Sequence, residues 1–259
     1  MKKLVAAALT ALFATTAQAN TVTTDFTDLW FNANESGWGV NIIQQQDVLF
    51  ITLFVYGQNN APVWYVGSDI RYQGSQGADQ VFTGTLFQTS GPFFGGAFNP
   101  TNVTNRSVGP FTFRASRSDT ATITYSVDGT PVTKTVQRQT WRNQNFAGSY
   151  RGAVVGTYSG CTQGNGPYES PAILTITQNG GSIQIHEAGN GYTCTYTGSY
   201  TPAGNSGLAS GSGSCSDGFA QNWSASEMKV GLDFFSAAFT ARIGAACDFN
   251  GRIGGIRRN

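Results

Sequence analysis

Apolar and polar residues alternate along most of this chain with a period of two, in short segments punctuated by Gly, Asn and Asp. This is the pattern of antiparallel strands with one buried and one wetted face. The plainest case flanks Asp128-Gly129, a pair that tolerates the positive φ of a two-residue hairpin turn. There Ala121, Ile123, Tyr125 and Val127 share one face, and Thr120, Thr122, Thr124 and Ser126 the other. The same reading predicts strands at Trp38 to Gln45, Val48 to Tyr56, Pro62 to Tyr72, Val81 to Thr89, Val108 to Ser116, Thr120 to Val127 and Thr130 to Trp141. After the polar connector Arg142 to Asn145 the pattern restarts at Phe146. Eight more strands are predicted, at Ser149 to Gly160, Glu169 to Gln178, Ser182 to Glu187, Tyr192 to Thr201, Gly207 to Cys215, Gln221 to Val230, Phe234 to Ile243 and Ala246 to Ile256.

Helix periodicity is nearly absent, so the expected fold class is all-β. Two antiparallel domains, each a barrel or sandwich, are expected at residues 20–143 and 144–259. Eight short strands make the second an up-and-down barrel, with an immunoglobulin-like sandwich as the alternative; the Cys–Trp–Cys core that would favour the sandwich is not evident. Val48 to Tyr56 departs from alternation. Apolar on both faces, it is expected to pack into its own barrel on one side and against the neighbouring domain on the other. A second departure recurs four times as large-x-Gly-x-large: Phe82-x-Gly84-x-Leu86, Phe146-x-Gly148-x-Tyr150, Tyr196-x-Gly198-x-Tyr200 and Phe249-x-Gly251-x-Ile253. In a strand these three positions share a face, and the missing side chain admits a neighbouring ring or backbone where a barrel coils.

Residues 1–19 carry Lys2 and Lys3, an apolar run from Leu4 to Ala14, and Ala17-Gln18-Ala19. Together these form the charged, apolar and small-x-small regions of a secretory signal peptide. Its removal takes the charged residues from 15 basic and 14 acidic to 13 and 14, a formal charge of −1. Such a surface offers no basic field for nucleic acid or anionic lipid. The longest later apolar run falls far short of the ~20 residues of a membrane helix. The chain is therefore expected in the periplasm or outside the cell, without a transmembrane helix or a nucleic-acid partner.

Export permits disulfides. Cys161, Cys194, Cys215 and Cys247 all fall in the second half. If consecutive strands alternate direction, all four reach the same rim. Cys194 and Cys215 are equidistant from a turn at Gly204-Asn205, and Cys161 meets Cys247 where the first and last strands close a barrel. This favours the nested pairing, with the sequential pairing kept open. A metal site is disfavoured, because there is no C-x-x-C spacing and His186 is the only histidine.

His186 is also the only residue that could serve a nucleophile as base, and no G-x-S-x-G elbow accompanies it. On the Ser182 to His186 segment it faces away from Ile183 and Ile185, which reads as an exposed strand position. The acidic residues, Glu187 and Glu169 among them, mostly occupy predicted turns and strand ends, where solvated carboxylates normally sit. No catalytic residue and no cofactor is expected. The candidate ligand-binding residues are Trp30, Trp38 and Trp64 as an aromatic platform, Glu35 and Asn41 as its polar tips, and Tyr65 beside Trp64. The competing reading makes Trp38 the plug of a barrel end and Glu35 part of a self-satisfied loop.

The segment Trp30-Phe31-Asn32-x-x-Glu35-Ser36-Gly37-Trp38-Gly39, with Phe54-Val55-Tyr56, Pro62-Val63-Trp64-Tyr65, Phe82 to Leu86 and the Thr124 to Gly129 hairpin, resembles an uncharacterised module of secreted proteins of Gram-negative bacteria. It covers roughly residues 29–141. The resemblance implies export and brings no activity or site residues with it. From Phe146 onward the chain resembles small calycin-type or avidin-like barrels in architecture only. The expected function is non-catalytic binding of a small ligand, glycan or protein partner. A periplasmic inhibitor of a hydrolase such as lysozyme or a protease is the alternative, presenting the Cys161 to Glu169 loop. An outer-membrane barrel is disfavoured because most predicted strands look too short and their alternate faces too rich in Ser, Thr and Gly, and an enzyme comes last.

Overall fold

The computed structural model describes residues 22–216, 218 and 220–258; the signal peptide expected at 1–19 lies outside them. Strands β1 (Asp28–Phe31), β2 (Gly39–Gln45), β3 (Val48–Tyr56), β4 (Pro62–Gln76), β5 (Asp79–Ser90), β6 (Thr104–Ala115), β7 (Thr120–Val127) and β8 (Thr130–Arg138) run up and down around a closed barrel. Strands β9 (Gly148–Ser159), β10 (Gly166–Asn179), β11 (Ser182–Ala188), β12 (Thr193–Ala203), β13 (Ser206–Cys215), β14 (Ala220–Val230), β15 (Phe234–Ile243) and β16 (Cys247–Arg257) make a second. Closure abolishes unpaired edges. It is achieved twice in the same way: β1 pairs with β8, setting Trp30 opposite Arg138, and β9 pairs with β16, setting Tyr150 opposite Arg257.

Two sequence expectations are corrected here. The closing strand β1 is absent from the predicted strands, because its four residues are too few to show alternation. The strands are also longer than expected: β4 has 15 residues and β10 has 14, so length does not argue against a membrane barrel. The direction of the side chains does. Both interiors are apolar, with Phe26, Trp30, Phe82 and Phe113 in the first and Phe146, Tyr150, Phe235 and Phe239 in the second, the reverse of a lipid-facing barrel with a polar lumen.

All eight large residues of the recurring large-x-Gly-x-large pattern are buried. A Cβ at Gly84, Gly198 or Gly251 would lie 2.5, 2.1 or 2.1 Å from the carbonyl oxygen of Asp69, Ser210 or Val155, so the glycines let adjacent strands coil tightly.

The expectation that the second domain covers β3 is also overturned. Leu49, Ile51 and Leu53 point into the barrel, while Phe50, Phe54 and Tyr56 stay 42%, 38% and 59% exposed. Two of those rings, Phe54 and Tyr56, instead cover glycines of the neighbouring Gly37 to Gly39 segment. A Cβ at Gly39 would fall 2.9 Å from the Phe54 ring, and the Tyr56 hydroxyl donates to the Gly37 carbonyl at 3.0 Å. An aromatic laid over a glycine on the neighbouring strand shields backbone that has no side chain of its own.

The barrels meet elsewhere, at the start of β1 and the end of β8. Asp28 Oδ2 accepts from the Asn205 backbone N–H at 2.8 Å, the Asn205 side-chain amide donates to the Thr27 carbonyl at 2.7 Å, and Lys229 pairs with Asp25 at 2.5 Å. The β12–β13 turn of the second barrel is thus stitched to the β1 end of the first.

Candidate functional site

The end of each barrel that faces this joint is plugged by the same construction. In the first barrel Trp30 Nε1 donates to the Phe26 carbonyl at 2.9 Å, and the Arg138 guanidinium lies 4.9 Å from the indole centroid. In the second, the Tyr150 hydroxyl donates to the Phe146 carbonyl at 2.9 Å, with the Arg257 guanidinium 4.9 Å from its ring. A glutamine completes each plug: Gln44 Oε1 accepts from Phe26 N and Gln178 Oε1 from Phe146 N, at 2.8 and 2.9 Å. A ring bonded to a backbone oxygen and covered by a cation seals its end of the barrel. Any ligand entrance is therefore at the opposite end of each barrel.

The predicted aromatic platform does not assemble. Trp30 is fully buried in the plug. Trp38, Glu35 and Tyr65 do gather at the far end of the first barrel. Trp38 packs half-buried against the core, and its indole N–H donates to Glu35 Oε2 at 3.0 Å. Lys134 binds the same carboxylate at 2.8 Å and holds it below the usual carboxylate range. Tyr65 is buried nearby, beside Tyr125. Asn41 and Trp64 point outward from β2 and β4, Trp64 standing opposite Phe54. Glu35 thus has its donors within its own barrel, and Trp38 covers the mouth.

The second barrel has an open mouth. Its disulfides are the nested pair, Cys194–Cys215 and Cys161–Cys247, and Cys194 and Cys215 are direct cross-strand partners. Behind this rim lies a cavity of about 210 Å³. Alternation builds part of its wall: Glu187 points inward from β11, and Cys194 and Tyr196 from β12, while Ile183, Ile185 and Tyr200 on the same faces are buried in the core. Tyr158 of β9, Tyr168 of β10 and Phe249 of β16 line it and pack on one another, Tyr168 edge to face with both of the others and Tyr158 tilted against Phe249, with centroids 5.0 to 6.1 Å apart. Tyr192 comes from the β11–β12 turn and folds back over the mouth. A Cβ at Gly189 would sit 2.3 Å from that ring, so only glycine leaves room for it.

At the centre of the wall is Glu187, 3% exposed. Tyr192 donates to its Oε1 at 2.5 Å and Tyr196 to its Oε2 at 3.0 Å, and the Tyr168 hydroxyl donates in turn to that of Tyr192 at 3.1 Å. Burial pushes the carboxyl above its ordinary range, against the pull of the two tyrosine hydrogen bonds; the same burial raises both phenols. Sequence reading placed Glu187 at a solvated strand end. The signal that finds it is the inward alternation Ile183-x-Ile185-x-Glu187, carried one step further. His186, the next residue back, faces solvent and meets Thr195 Oγ1 at 3.2 Å. The loop after Cys161 is exposed at the same rim, braced by Asn165, which accepts from Cys161 N and donates to Cys161 O at 2.9 and 2.7 Å. Among the described residues no three His, Cys, Asp or Glu side chains group as metal ligands, and no helix is long and apolar enough to cross a membrane.

The chain is a tandem of closed, eight-stranded, up-and-down barrels, of which the second carries a cavity walled by rings and one buried carboxyl at a disulfide-bound rim. No family profile matches it, and no curated protein matches it. Two solved structures overlay on most of its length: a candidate outer membrane protein of Bacteroides fragilis, 12% identical, covering 90% of this chain and 98% of its own with a TM-score of 0.28; and a Nostoc punctiforme protein of unknown function from the DUF3598 family, 13% identical, covering 89% and 93% with a TM-score of 0.26. Likeness at that level carries no argument about this chain.

Proposed function

We propose that this is an exported, non-catalytic binding protein that takes a small molecule into the mouth of the second barrel, and that it works in the periplasm or outside the cell without a cofactor. The observation that carries this reading is the cavity itself: about 210 Å³ walled by rings and one buried carboxyl. A concave, mostly apolar space with a few convergent polar groups is the usual form of a small-ligand site. Two disulfides hold its rim, and they belong to an oxidising compartment. The plug at the other end leaves one way in. A catalytic reading has little to draw on among the described residues, since His186, the only histidine, points away from the cavity.

Indole titration followed by protein NMR tests the proposal. Indole is expected to shift the resonances of Glu187, Tyr192 and Tyr196 saturably in the wild type. It is expected to shift none of them in Ala241→Phe, which fills the cavity from β15. Shifts centred on Trp38 and Tyr65 would move the site to the first barrel, and no saturable shift anywhere would refute small-ligand binding.

A further inference from the structure

We infer that the ligand of this cavity is a small organic cation, a protonated amine whose nitrogen pairs with Glu187 and whose apolar body lies among the surrounding tyrosines. The inference rests on the reading that the cavity binds a small molecule, and it deepens that reading to a chemical class.

The first support is an unbalanced charge. No Lys, Arg or His lines the cavity among its described residues, yet Glu187 is almost wholly removed from water. An ionised carboxylate without a cationic partner costs several kcal/mol to bury. Elsewhere in this chain the buried or half-buried ion pairs are complete: Asp28 has Arg138 and Asp25 has Lys229. Glu187 has only phenols. Among the described residues lining the cavity there is no protein cation, and a bound ammonium supplies one.

The second support is geometric. Each Glu187 oxygen accepts one tyrosine hydrogen bond, and a carboxylate offers about four lone-pair positions, so each oxygen keeps an acceptor site. The two phenols fix the carboxyl in place before any ligand arrives, which lowers the ordering cost of binding. Tyr158, Tyr168, Tyr192, Tyr196, Phe239 and Phe249 enclose the space, and the negative faces of such rings attract a cation. An anion would meet both those faces and a carboxylate.

Size narrows the class. An apolar cavity of about 150 Å³ accepts benzene, so about 210 Å³ suits one ring with a short amine-bearing chain and excludes an oligosaccharide. The competing account makes Glu187 a brace that ties β11 to the Tyr192 turn. Glu187→Gln separates the two, since glutamine keeps the volume and can bond both phenols while removing the charge.

The experiment is calorimetric titration of three probes of nearly equal shape, phenethylammonium chloride, 2-phenylethanol and sodium phenylacetate. Each is titrated into the disulfide-intact wild type, Glu187→Gln and Ala241→Phe near neutral pH. Phenethylammonium is expected to bind the wild type about tenfold more tightly than the alcohol or better, as one desolvated ion pair implies, with phenylacetate showing no saturable binding. Glu187→Gln should bring the cation down to the level of the alcohol and leave the alcohol unchanged. If the alcohol or phenylacetate binds the wild type as tightly as the cation while Ala241→Phe still blocks binding, the cation assignment fails and the cavity reading survives. If no probe binds the wild type, or Ala241→Phe binds as the wild type does, both fail. The wild-type series decides the matter alone should Glu187→Gln not fold.

Discussion

The two barrels share a topology and a plug and differ in what they do with the other end. The first covers its mouth with Trp38, whose indole is bonded to a glutamate already neutralised by Lys134. The second leaves its mouth open, lines it with tyrosines and leaves its glutamate without a basic partner. A glutamate with its own lysine has its electrostatic requirement met inside the fold; a glutamate with only phenols leaves that requirement to a ligand. The disulfides follow the same division. The mouth of the second barrel carries covalent links between its strand ends, Cys194–Cys215 and Cys161–Cys247, and the first barrel has none.

The largest effect that would test this division is loss of a rim disulfide. In the chain-entropy account, Cys161–Cys247, whose ends are 86 positions apart, contributes about 4.6 kcal/mol, and Cys194–Cys215, 21 positions apart, about 3.3 kcal/mol. Cys161→Ser with Cys247→Ser is therefore expected to lower the melting transition of the second barrel far more than that of the first, as followed by residue-resolved hydrogen exchange. Equal loss of protection in both barrels would show that they unfold as one unit and that the rim links serve the whole chain.

Next in size is a difference between the two plug arginines. Arg138 has a side chain 1% exposed, pairs with Asp28 at 3.2 Å, and donates to the carbonyls of Asp25 and Ser118, each at 2.5 Å, and to Asn205 Oδ1 at 3.3 Å across the joint. Arg257 is half-buried and donates to the Ala147 carbonyl at 3.2 Å and the Tyr150 hydroxyl at 2.8 Å. Removing one partner of a buried ion pair strands the other, so Arg138→Met is expected to cost about 3 kcal/mol or more. Arg257→Met loses one cation–ring contact and its hydrogen bonds near water, about 1 kcal/mol. Denaturant unfolding measures both. Equal costs would mean that the joint adds nothing to the first plug.

Much of this was legible in the chain, and the failures have identifiable causes. The sequence pattern located every strand of the second barrel and all but β1 of the first, most of them by inward residues at a period of two and β3 as a run that is apolar on both faces. β1 escaped because four residues carry no period, and it brought with it the misreading of Trp30 as a surface ring. The nested disulfides followed from strand direction and from the equal distance of Cys194 and Cys215 from their turn. The Glu35 to Gly39 segment drew attention for good reason, but its physical meaning is local. Gly37 and Gly39 are covered by Tyr56 and Phe54, and Trp38 turns inward. Glu187 was passed over because a carboxylate near a strand end normally faces water. What makes it exceptional is the inward-folded ring of Tyr192 from the following turn, and no pattern along the chain specifies that.

The smallest expected effect is a pH dependence, and it separates the two glutamates most cleanly. Lys134 and the Trp38 indole lower the Glu35 carboxyl, so the stability it brings is present above the ordinary carboxylate range and is lost as pH falls through its depressed value. Burial raises Glu187, and the sign reverses: the folded state holds its proton more tightly than the unfolded chain, so stability is greatest on the acid side and falls as pH rises through the elevated value. The other titratable side chains lining the cavity among its described residues are Tyr158, Tyr168, Tyr192 and Tyr196. The two phenol bonds offset part of the burial, which keeps the effect modest. Ligand-free wild type is therefore expected to lose stability relative to Glu187→Gln as pH rises from the acid side, while Glu35→Gln shows the opposite trend against the wild type. Phenethylammonium keeps its proton throughout, so it should abolish the Glu187 trend by pairing with the ionised carboxyl, and its affinity should fall as Glu187 is protonated. A Glu187 trend that persists unchanged with the cation bound would place the ligand out of reach of that carboxyl.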